Sequence, residues 1–125
     1  FSSPETGAIR FVKGSHKDLT QYRPNWFVSD EPLPNTEGER VPQIPSKAVA
    51  APTLSPGDLT IHHARTLHGA SANRSADQSR RAISIRYCGD DARYHIREGA
   101  PLKPHHETVT NGDILTHERC PKVWP

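Results

Sequence analysis

The sequence contains no methionine, only two cysteines and no long apolar run. Without a methionine there is no initiator residue, so we expect the chain to be part of a longer or processed protein. Cys88 and Cys120 lie far apart in the sequence, which does not indicate a disulfide and favours a reducing, cytoplasmic location. No apolar run approaches about 20 residues and no secretory signal is visible, so neither a membrane span nor secretion is predicted.

The sequence also lacks a strong charge of one sign. Its 16 Lys and Arg residues nearly balance its 14 Asp and Glu residues, giving a formal net charge of +2, and the basic residues are scattered. A protein that binds nucleic acid or an anionic membrane usually concentrates basic residues on one surface. We therefore expect neither nucleic acid nor membrane as a partner.

Helix-forming patterns are scarce as well. The apolar fraction is only 33%, the chain contains twelve prolines, and no window shows sustained helical periodicity. A length of 125 residues is enough for one domain. The sequence therefore predicts a single all-β domain over residues 1–125, with a thin core built from short strands.

Three segments carry the strand signal: residues 7–13, 58–63 and 80–87. Each is rich in β-formers or alternates between apolar and polar positions. Residues 55–58, Ser-Pro-Gly-Asp, precede the second segment and fit a β-turn in which the glycine takes a positive φ. We predict these three segments as the core strands.

A long proline-rich loop is predicted over residues 23–56, with a weak strand over residues 47–51 near its end. Long ordered loops in compact domains often cover binding sites. The loop is thus a candidate lid over an active site. The alternative, held equally, is that Trp26 only anchors the loop to the wall of the domain.

Histidines are the first candidates for chemistry. His16 and Asp18 have a His-x-Asp spacing that could supply two metal ligands, but so short a match is weak, and the favoured interpretation is a capped turn. His62 and His63 are neighbours in a predicted strand, so their side chains should face opposite ways and at most one could bind a given metal. A hydrogen-bonded structural histidine is the favoured interpretation for either.

His68 differs from the other histidines because it directly precedes a glycine at a predicted strand end. A chain can turn sharply there and expose the imidazole to a cavity. A single histidine is more often structural than a ligand, so His68 alone is only a candidate for metal binding.

The third predicted strand places Arg80 and Ser84 on one face and Arg81 on the other. An arginine held by a strand can bind a carboxylate through two parallel N–H bonds. An ordinary solvent-facing strand would show the same alternation, so the pattern does not exclude that alternative.

Four stretches in order resemble the phytanoyl-CoA dioxygenase family of iron(II)- and 2-oxoglutarate-dependent oxygenases. These stretches are TGAIRFVKGSH at residues 6–16, PGD at 56–58, HGASAN at 68–73 and RRAIS at 80–84. The resemblance implies a double-stranded β-helix, a cupin-like jelly roll, of which this chain would be an incomplete C-terminal part.

The resemblance also implies a site. Iron in this family is held by two histidines and one carboxylate, and the distal histidine matches His68. The arginine that pairs with the far carboxylate of 2-oxoglutarate matches Arg80, and Ser84 is a further candidate for the same pocket. The family's His-x-Asp ligand pair lies upstream of the stretch that matches residues 6–16. We therefore expect this fragment to lack tight iron binding and turnover on its own.

Three functions remain in competition. The first is an iron(II)/2-oxoglutarate-dependent dioxygenase that hydroxylates an unknown small molecule, represented by its C-terminal part. The second is a non-catalytic jelly-roll binding module, and the third is a cupin-like isomerase or sugar-modifying enzyme, which would need several histidines at one site. Exposed strand edges of an incomplete barrel would also favour self-association.

Overall fold

A computed structural model describes residues 1–26, 29–96, 107–115, 118 and 120–123. Within these residues helix is confined to short 3₁₀ turns, which include Pro4–Thr6, Ser15–Lys17 and Ser46–Ala48. None of the described helices is long and apolar enough to cross a membrane. The chain divides into two units, the first comprising residues 1–32 and 37–83, and the second residues 33–36 and 84–125.

The first unit is built on a small antiparallel sheet. Its strands are β1 (Ile9–Val12), β2 (Val49–Ala50) and β3 (His68–Ala70), and β1 lies between the other two. The predicted strand at residues 7–13 is confirmed by β1, and the weak strand at 47–51 by β2. The all-β prediction is thus confirmed in its coarse form: the chain is mostly non-helical and contains a three-stranded antiparallel sheet.

Two glycines set the limits of β1. Gly7 and Gly14 both adopt a left-handed backbone, with φ of 77° and 75°, and the apolar and β-branched sequence Ile-Arg-Phe-Val lies between them. Residues with a Cβ rarely adopt this conformation, so glycine allows the chain to turn at either end of the strand. The strand is short because both of its ends are turns.

A tight turn precedes β1. The Ser3 backbone N–H donates to Thr6 Oγ1 at 2.8 Å, and the Thr6 hydroxyl donates back to the Ser3 carbonyl at 3.2 Å. The Ser3 hydroxyl also donates to Glu5 Oε2 at 2.6 Å, which lowers the pKa of Glu5. Ser3 and Thr6 are buried polar residues, and these reciprocal bonds satisfy them.

The predicted strands at residues 58–63 and 80–87 are absent from the structure. Neither segment has a ladder partner among the described residues, and their apolar side chains are exposed, Ile61 and Ile83 each at 91%. Alternation indicates which face a strand would bury, but a strand forms only when a neighbour accepts its backbone hydrogen bonds. Both segments have the alternating pattern of a strand, but neither has a neighbouring strand among the described residues.

The predicted turn at residues 55–58 is confirmed. The Asp58 N–H donates to the Ser55 carbonyl at 3.0 Å, the Asp58 carboxylate accepts the Ser55 N–H at 2.8 Å, and Gly57 has a φ of 96°. Proline at the second position and glycine with positive φ at the third are the signature of a type II turn.

The segment predicted as a long loop, residues 23–56, is irregular over most of its described part. It contains the 3₁₀ turn Ser46–Ala48 and β2, and two isolated bridges, Tyr22 with Glu39 and Asn25 with Pro32, pin its first half. Trp26 is 51% exposed, which gives little support to its role as a buried anchor.

The buried core is thin, as the composition predicts. Among the described residues of the first unit, Ala8 is the one buried apolar side chain, at 0% exposure. Backbone hydrogen bonds from β1 to its two neighbours and the turns at its ends therefore contribute much of the local order.

The second unit has a bridge of its own between Arg93 and Ile114. The Tyr94 N–H donates to the Asp113 carbonyl and the Gly112 N–H to the Tyr94 carbonyl, each at 2.9 Å. Cys88 and Cys120 are both free thiols.

Replacing Gly7 by alanine should destabilise the first unit more than the same change at Gly14. Both positions have nearly the same positive φ, but a Cβ on Gly7 would lie 2.8 Å from the Ser71 carbonyl oxygen, whereas a Cβ on Gly14 meets nothing within 4 Å. We expect a loss of about 1–2 kcal/mol for Gly14→Ala from backbone strain alone. For Gly7→Ala we expect a further loss of about 1–3 kcal/mol in the free energy of unfolding, because the new Cβ overlaps the Ser71 carbonyl oxygen.

Urea denaturation of the two variants and of the unmodified chain measures this difference in the free energy of unfolding. Equal losses for both variants would show that residue 71 does not pack against residue 7 as described.

Candidate functional site

His68 is the first residue of β3 and lies directly opposite Phe11 of β1. Its Nδ1 lies 2.8 Å from the Thr66 carbonyl oxygen. A carbonyl oxygen can only accept a hydrogen bond, so Nδ1 must carry the proton in this contact. The lone pair of the neutral ring is then on Nε2, and the ring is exposed. A backbone carbonyl bonded to the other ring nitrogen is the usual support of a metal-binding histidine.

A turn places a second imidazole beside His68. The Thr66 N–H donates to the His63 carbonyl at 2.9 Å, which reverses the chain and returns it alongside residue 62. The ring centroids of His62 and His68 are 4.9 Å apart with an interplanar angle of 58°. Phe11 completes this three-ring cluster, at 4.8 Å from His62 and 6.4 Å from His68.

His63 has a different environment from its neighbour. Its Nδ1 accepts the Arg65 N–H at 3.1 Å, and its ring lies 5.8 Å from that of His16. Because a ring nitrogen that accepts from an amide cannot also bind a metal, Nδ1 of His63 is not free for that role. The prediction that His62 and His63 face different ways agrees with these contacts, although the segment forms no strand.

Ser15 fixes the chain immediately before His68. Its hydroxyl donates to the Val12 carbonyl and accepts the Leu67 N–H, each at 2.9 Å. The Val12 N–H in turn donates to the Leu67 carbonyl at 2.9 Å. Both backbone polar groups of Leu67 are therefore held at the end of β1, which sets the position of the next residue, His68.

The His16-x-Asp18 spacing belongs to a capped turn. The Asp18 carboxylate accepts the Thr20 N–H at 2.9 Å and the Tyr22 hydroxyl at 2.7 Å, while the Asp18 carbonyl accepts from the Arg65 guanidinium at 3.2 Å. These bonds favour the capped-turn interpretation of the sequence over the metal-ligand one.

Arg80 and Ser84 are both exposed, and neither makes a hydrogen bond or ion pair with any described residue. Ser84 belongs to the second unit and Arg80 to the first. No hydrogen bond or ion pair within the described ranges joins Arg80 to His68. Both assignments therefore stay predictions.

A complete metal centre is not formed by the described side chains. Among them, no group of three or more His, Cys, Asp or Glu residues is arranged to hold an ion. What the structure does bring together is the pair of imidazoles on the Phe11 side of the sheet, one of which has a defined tautomer.

The model of the phytanoyl-CoA dioxygenase (PhyH) family matches residues 2–82, well over half of the chain. The chain belongs to the PhyH family. This family has a cupin-like fold, with which the non-helical chain and its antiparallel sheet agree. The match includes β1, the His62 and His68 pair and Arg80.

A curated relative is the probable alpha-ketoglutarate-dependent hypophosphite dioxygenase of Stutzerimonas stutzeri. The two are 33% identical over 105 residues, which cover 73% of this chain and 32% of the relative. This PhyH chain thus spans about a third of the length of that protein. No solved structure matches the chain significantly.

The sequence predicts His68 as a candidate ligand, but the proximity of His62 and the contact with the Thr66 carbonyl were missed. The available signal was the sharp turn that the chain must make between residues 62 and 68 if residue 68 starts a new strand. The alternating pattern predicted a continuous strand over residues 58–63, and this prediction did not include the turn that follows it.

The Asp18 carboxyl should titrate far below an ordinary aspartate. Hydrogen bonds from the Thr20 side chain and backbone, and then from the Tyr22 hydroxyl, lower the pKa of Asp18 to about 2. Because the folded pKa lies below the unfolded value of 3.8, the resulting stabilisation is complete above that value and is lost as pH falls from about 4 towards 2.

Carboxyl-carbon NMR titration of the chain measures the Asp18 pKa. Tyr22→Phe should raise it part of the way towards 3.8 by removing one donor, and Asp18→Asn should flatten the pH dependence of stability in this window. A normal Asp18 pKa in the unmodified chain would contradict the hydrogen-bonded turn.

Proposed function

We propose that this chain is the C-terminal part of an Fe(II)/2-oxoglutarate-dependent dioxygenase of jelly-roll fold that hydroxylates a small molecule. The observation that carries the proposal is the state of His68, an exposed residue whose Nδ1 is bonded to a backbone carbonyl, which leaves the lone pair of the ring on Nε2. Residue 68 lies within the stretch matched by the PhyH family.

His68 fits iron by the chemistry of its donor atom. Neutral imidazole is a suitable ligand for ferrous iron, and two histidines with one carboxylate leave open coordination positions for cosubstrate and oxygen. The hydrogen bond to Thr66 orients the ring before metal binds. When bound, iron and 2-oxoglutarate together supply the oxidising chemistry, and the chain's residues hold and orient the reactants.

Arg80 would bind the end of 2-oxoglutarate that faces away from the metal. Its guanidinium has no partner among the described residues and is exposed, so its donors are available to a carboxylate. The planar fork of five N–H groups allows two parallel bonds to the two carboxylate oxygens.

The rest of the proposal concerns access and location. We assign the loop at residues 23–56 as the lid that selects the substrate, because long irregular segments commonly provide this selection.

The two free thiols support the predicted cytoplasmic location. Hypophosphite, named for the Stutzerimonas stutzeri relative, is the first substrate to assay.

A non-catalytic binding module is the second candidate. Missing iron ligands in the complete parent protein would favour it. A module of this kind would retain Arg80 as an acid-binding residue and would show no turnover of 2-oxoglutarate.

Succinate release by the full-length protein distinguishes the two candidates. With iron(II), 2-oxoglutarate and hypophosphite supplied, Arg80→Ala should raise the KM for 2-oxoglutarate at least about tenfold and lower turnover strongly, since a charge-assisted bidentate contact is lost. Arg81→Ala is the matched control, because the resemblance to the family matches the cosubstrate arginine to Arg80 and not to its neighbour. We expect it to change the KM less than about twofold.

Arg80→Lys separates charge from geometry, because it keeps the cation but loses the fork, and it should restore only part of the activity. An Arg80→Ala enzyme with an unchanged KM would remove Arg80 from the cosubstrate site. Absence of succinate from the unmodified full-length protein, together with binding of 2-oxoglutarate, would favour the binding module.

We also propose self-association of the isolated chain. Leu59, Ile61, Ile83 and Ile85 are all at least 69% exposed in segments that lack a ladder partner among the described residues. Unpaired backbone beside apolar side chains pairs readily with another chain. Light scattering coupled to size exclusion should show dimers or larger species that Ile61→Lys and Ile85→Lys reduce. A monomer at every concentration would contradict this proposal.

A further inference from the structure

We propose that Ser15 is a positioning residue of the proposed oxygenase, because its hydroxyl orients the peptide group between Thr66 and Leu67 that holds the His68 ring. This role rests on the proposed function, which takes His68 as a ligand. It adds a task for Ser15, to which the resemblance to PhyH assigns none.

The peptide group between Thr66 and Leu67 is bonded at both of its ends. Its N–H, from Leu67, donates to Ser15 Oγ at 2.9 Å. Its carbonyl oxygen, from Thr66, lies 2.8 Å from Nδ1 of His68. Because the N–H and C=O of one peptide share a rigid plane and point in opposite directions, the bond that fixes the first also sets the direction of the second. Ser15 is therefore joined to the His68 ring through a single planar group.

The Ser15 hydroxyl also takes the place of one ladder bond. The register that pairs Phe11 with His68 puts Val12 opposite Leu67, and the Val12 N–H donates to the Leu67 carbonyl at 2.9 Å. A regular hydrogen-bonded pair of an antiparallel ladder would return a bond from the Leu67 N–H to the Val12 carbonyl. Here that N–H donates to the Ser15 hydroxyl, which in turn donates to the Val12 carbonyl at 2.9 Å. Two bonds in series span a wider gap than one, so the chain diverges from β1 immediately before His68, much as a β-bulge re-aims a side chain.

The local sequence places a hydroxyl at this point. Gly14, with a φ of 75°, turns the chain at the end of β1, and Ser15 then begins the 3₁₀ turn Ser15–Lys17. The chain reverses so tightly that a short side chain at position 15 reaches the Val12 carbonyl three residues earlier. Serine suits the position because one hydroxyl donates and accepts at the same time. Alanine would do neither, and cysteine would do both only weakly.

The bond from Leu67 to Ser15 acts on the His68 ring by polarisation as well as by geometry. A peptide whose N–H is hydrogen-bonded has a more strongly accepting carbonyl, here that of Thr66. A stronger acceptor favours the proton on Nδ1 of His68 and so the lone pair on Nε2. Groups that support a metal-binding histidine in this way typically cost about 10–100-fold in metal affinity or activity when they are removed. Ser15 would thus influence the reaction without touching a reactant.

Imidazole nitrogen NMR of the chain, in alkaline buffer in which histidine rings are neutral, measures the ratio of the two His68 tautomers. Ser15→Ala should lower the ratio of the Nδ1–H form to the Nε2–H form about two- to tenfold, which is the usual effect of one hydrogen bond on an equilibrium. Ser15→Thr keeps the hydroxyl and should restore most of the ratio. If Ser15→Ala does not fold, Ser15→Cys keeps a side chain of similar size with a weaker acceptor, and the same ratio decides.

Ser3→Ala is the matched control for a general loosening of the first unit. It removes a hydroxyl that donates to Glu5 Oε2 at 2.6 Å, from a buried residue that makes no hydrogen bond to the peptide between Thr66 and Leu67. We expect the tautomer ratio of His68 in this variant to equal that of the unmodified chain.

The full-length protein supplies the functional readout. Ser15→Ala should raise the iron(II) concentration for half-maximal succinate release about tenfold. The KM for 2-oxoglutarate should change less than about twofold, because Arg80 is untouched. Ser15→Thr should again restore most of the loss, whereas Ser3→Ala should leave the iron(II) requirement unchanged.

The other outcomes separate this role from the proposed function. An unchanged tautomer ratio in folded Ser15→Ala, or an equal change in Ser3→Ala, would overturn the positioning role. An altered ratio with an unchanged iron(II) requirement in an active parent would also overturn it and leave the oxygenase standing. Absence of succinate from the unmodified parent would overturn the oxygenase, and the tautomer ratio would still decide whether Ser15 controls the His68 ring.

Discussion

The antiparallel pairing of β1 with β3 is the constraint on which the rest of the first unit depends. It places Phe11 opposite His68, and residues directly opposite in such a pair project from the same face. The Val12 N–H to Leu67 carbonyl bond extends the pairing by one step, and the Ser15 hydroxyl closes it. Without this register the turn at residues 63–66 would have no fixed position, and His62 would not reach His68.

A thin core makes this constraint more important than it would be in a larger domain. With one fully buried alanine in the described part of the first unit, apolar burial contributes little, and hydrogen-bonded turns must specify the local structure. The left-handed glycines at both ends of β1 show the consequence, because a short strand bounded by two turns has little freedom to slip. The positions of His62 and His68 are therefore fixed by the hydrogen-bonded backbone and not by apolar packing in a core.

What the sequence predicted correctly was local. The turn at residues 55–58 follows from proline and glycine at fixed positions, β1 follows from a β-branched and aromatic run, and the Asp18 turn follows from the short side chain of aspartate. The two turns depend on neighbours within about four residues, which composition and spacing can describe. β1 also needs β2 and β3 to accept its backbone hydrogen bonds.

What the sequence could not supply was the identity of strand partners. Residues 58–63 and 80–87 alternate as strands do, yet alternation has the same appearance whether or not a neighbouring strand exists. The proximity of His62 to His68 has a similar origin, since it requires both the turn at residues 63–66 and the register with Phe11. Long-range pairing depends on the whole chain, whereas hydropathy is read from one segment at a time.

The contrast between His63 and His68 shows how the backbone chooses which imidazole can serve as a ligand. Both rings use Nδ1 in a local contact two residues away, but His63 accepts from the Arg65 N–H whereas His68 faces the Thr66 carbonyl. The first contact uses the lone pair of Nδ1, and the second fixes a proton on Nδ1 and leaves the lone pair on Nε2. The direction along the chain decides the difference: His63 meets a donor on its C-terminal side, and His68 meets an acceptor on its N-terminal side. A histidine that begins a strand immediately after a turn can thus be oriented by a carbonyl of that turn, as His68 is by Thr66. This contact supports the proposed ligand role of His68 more strongly than the His-Gly sequence does.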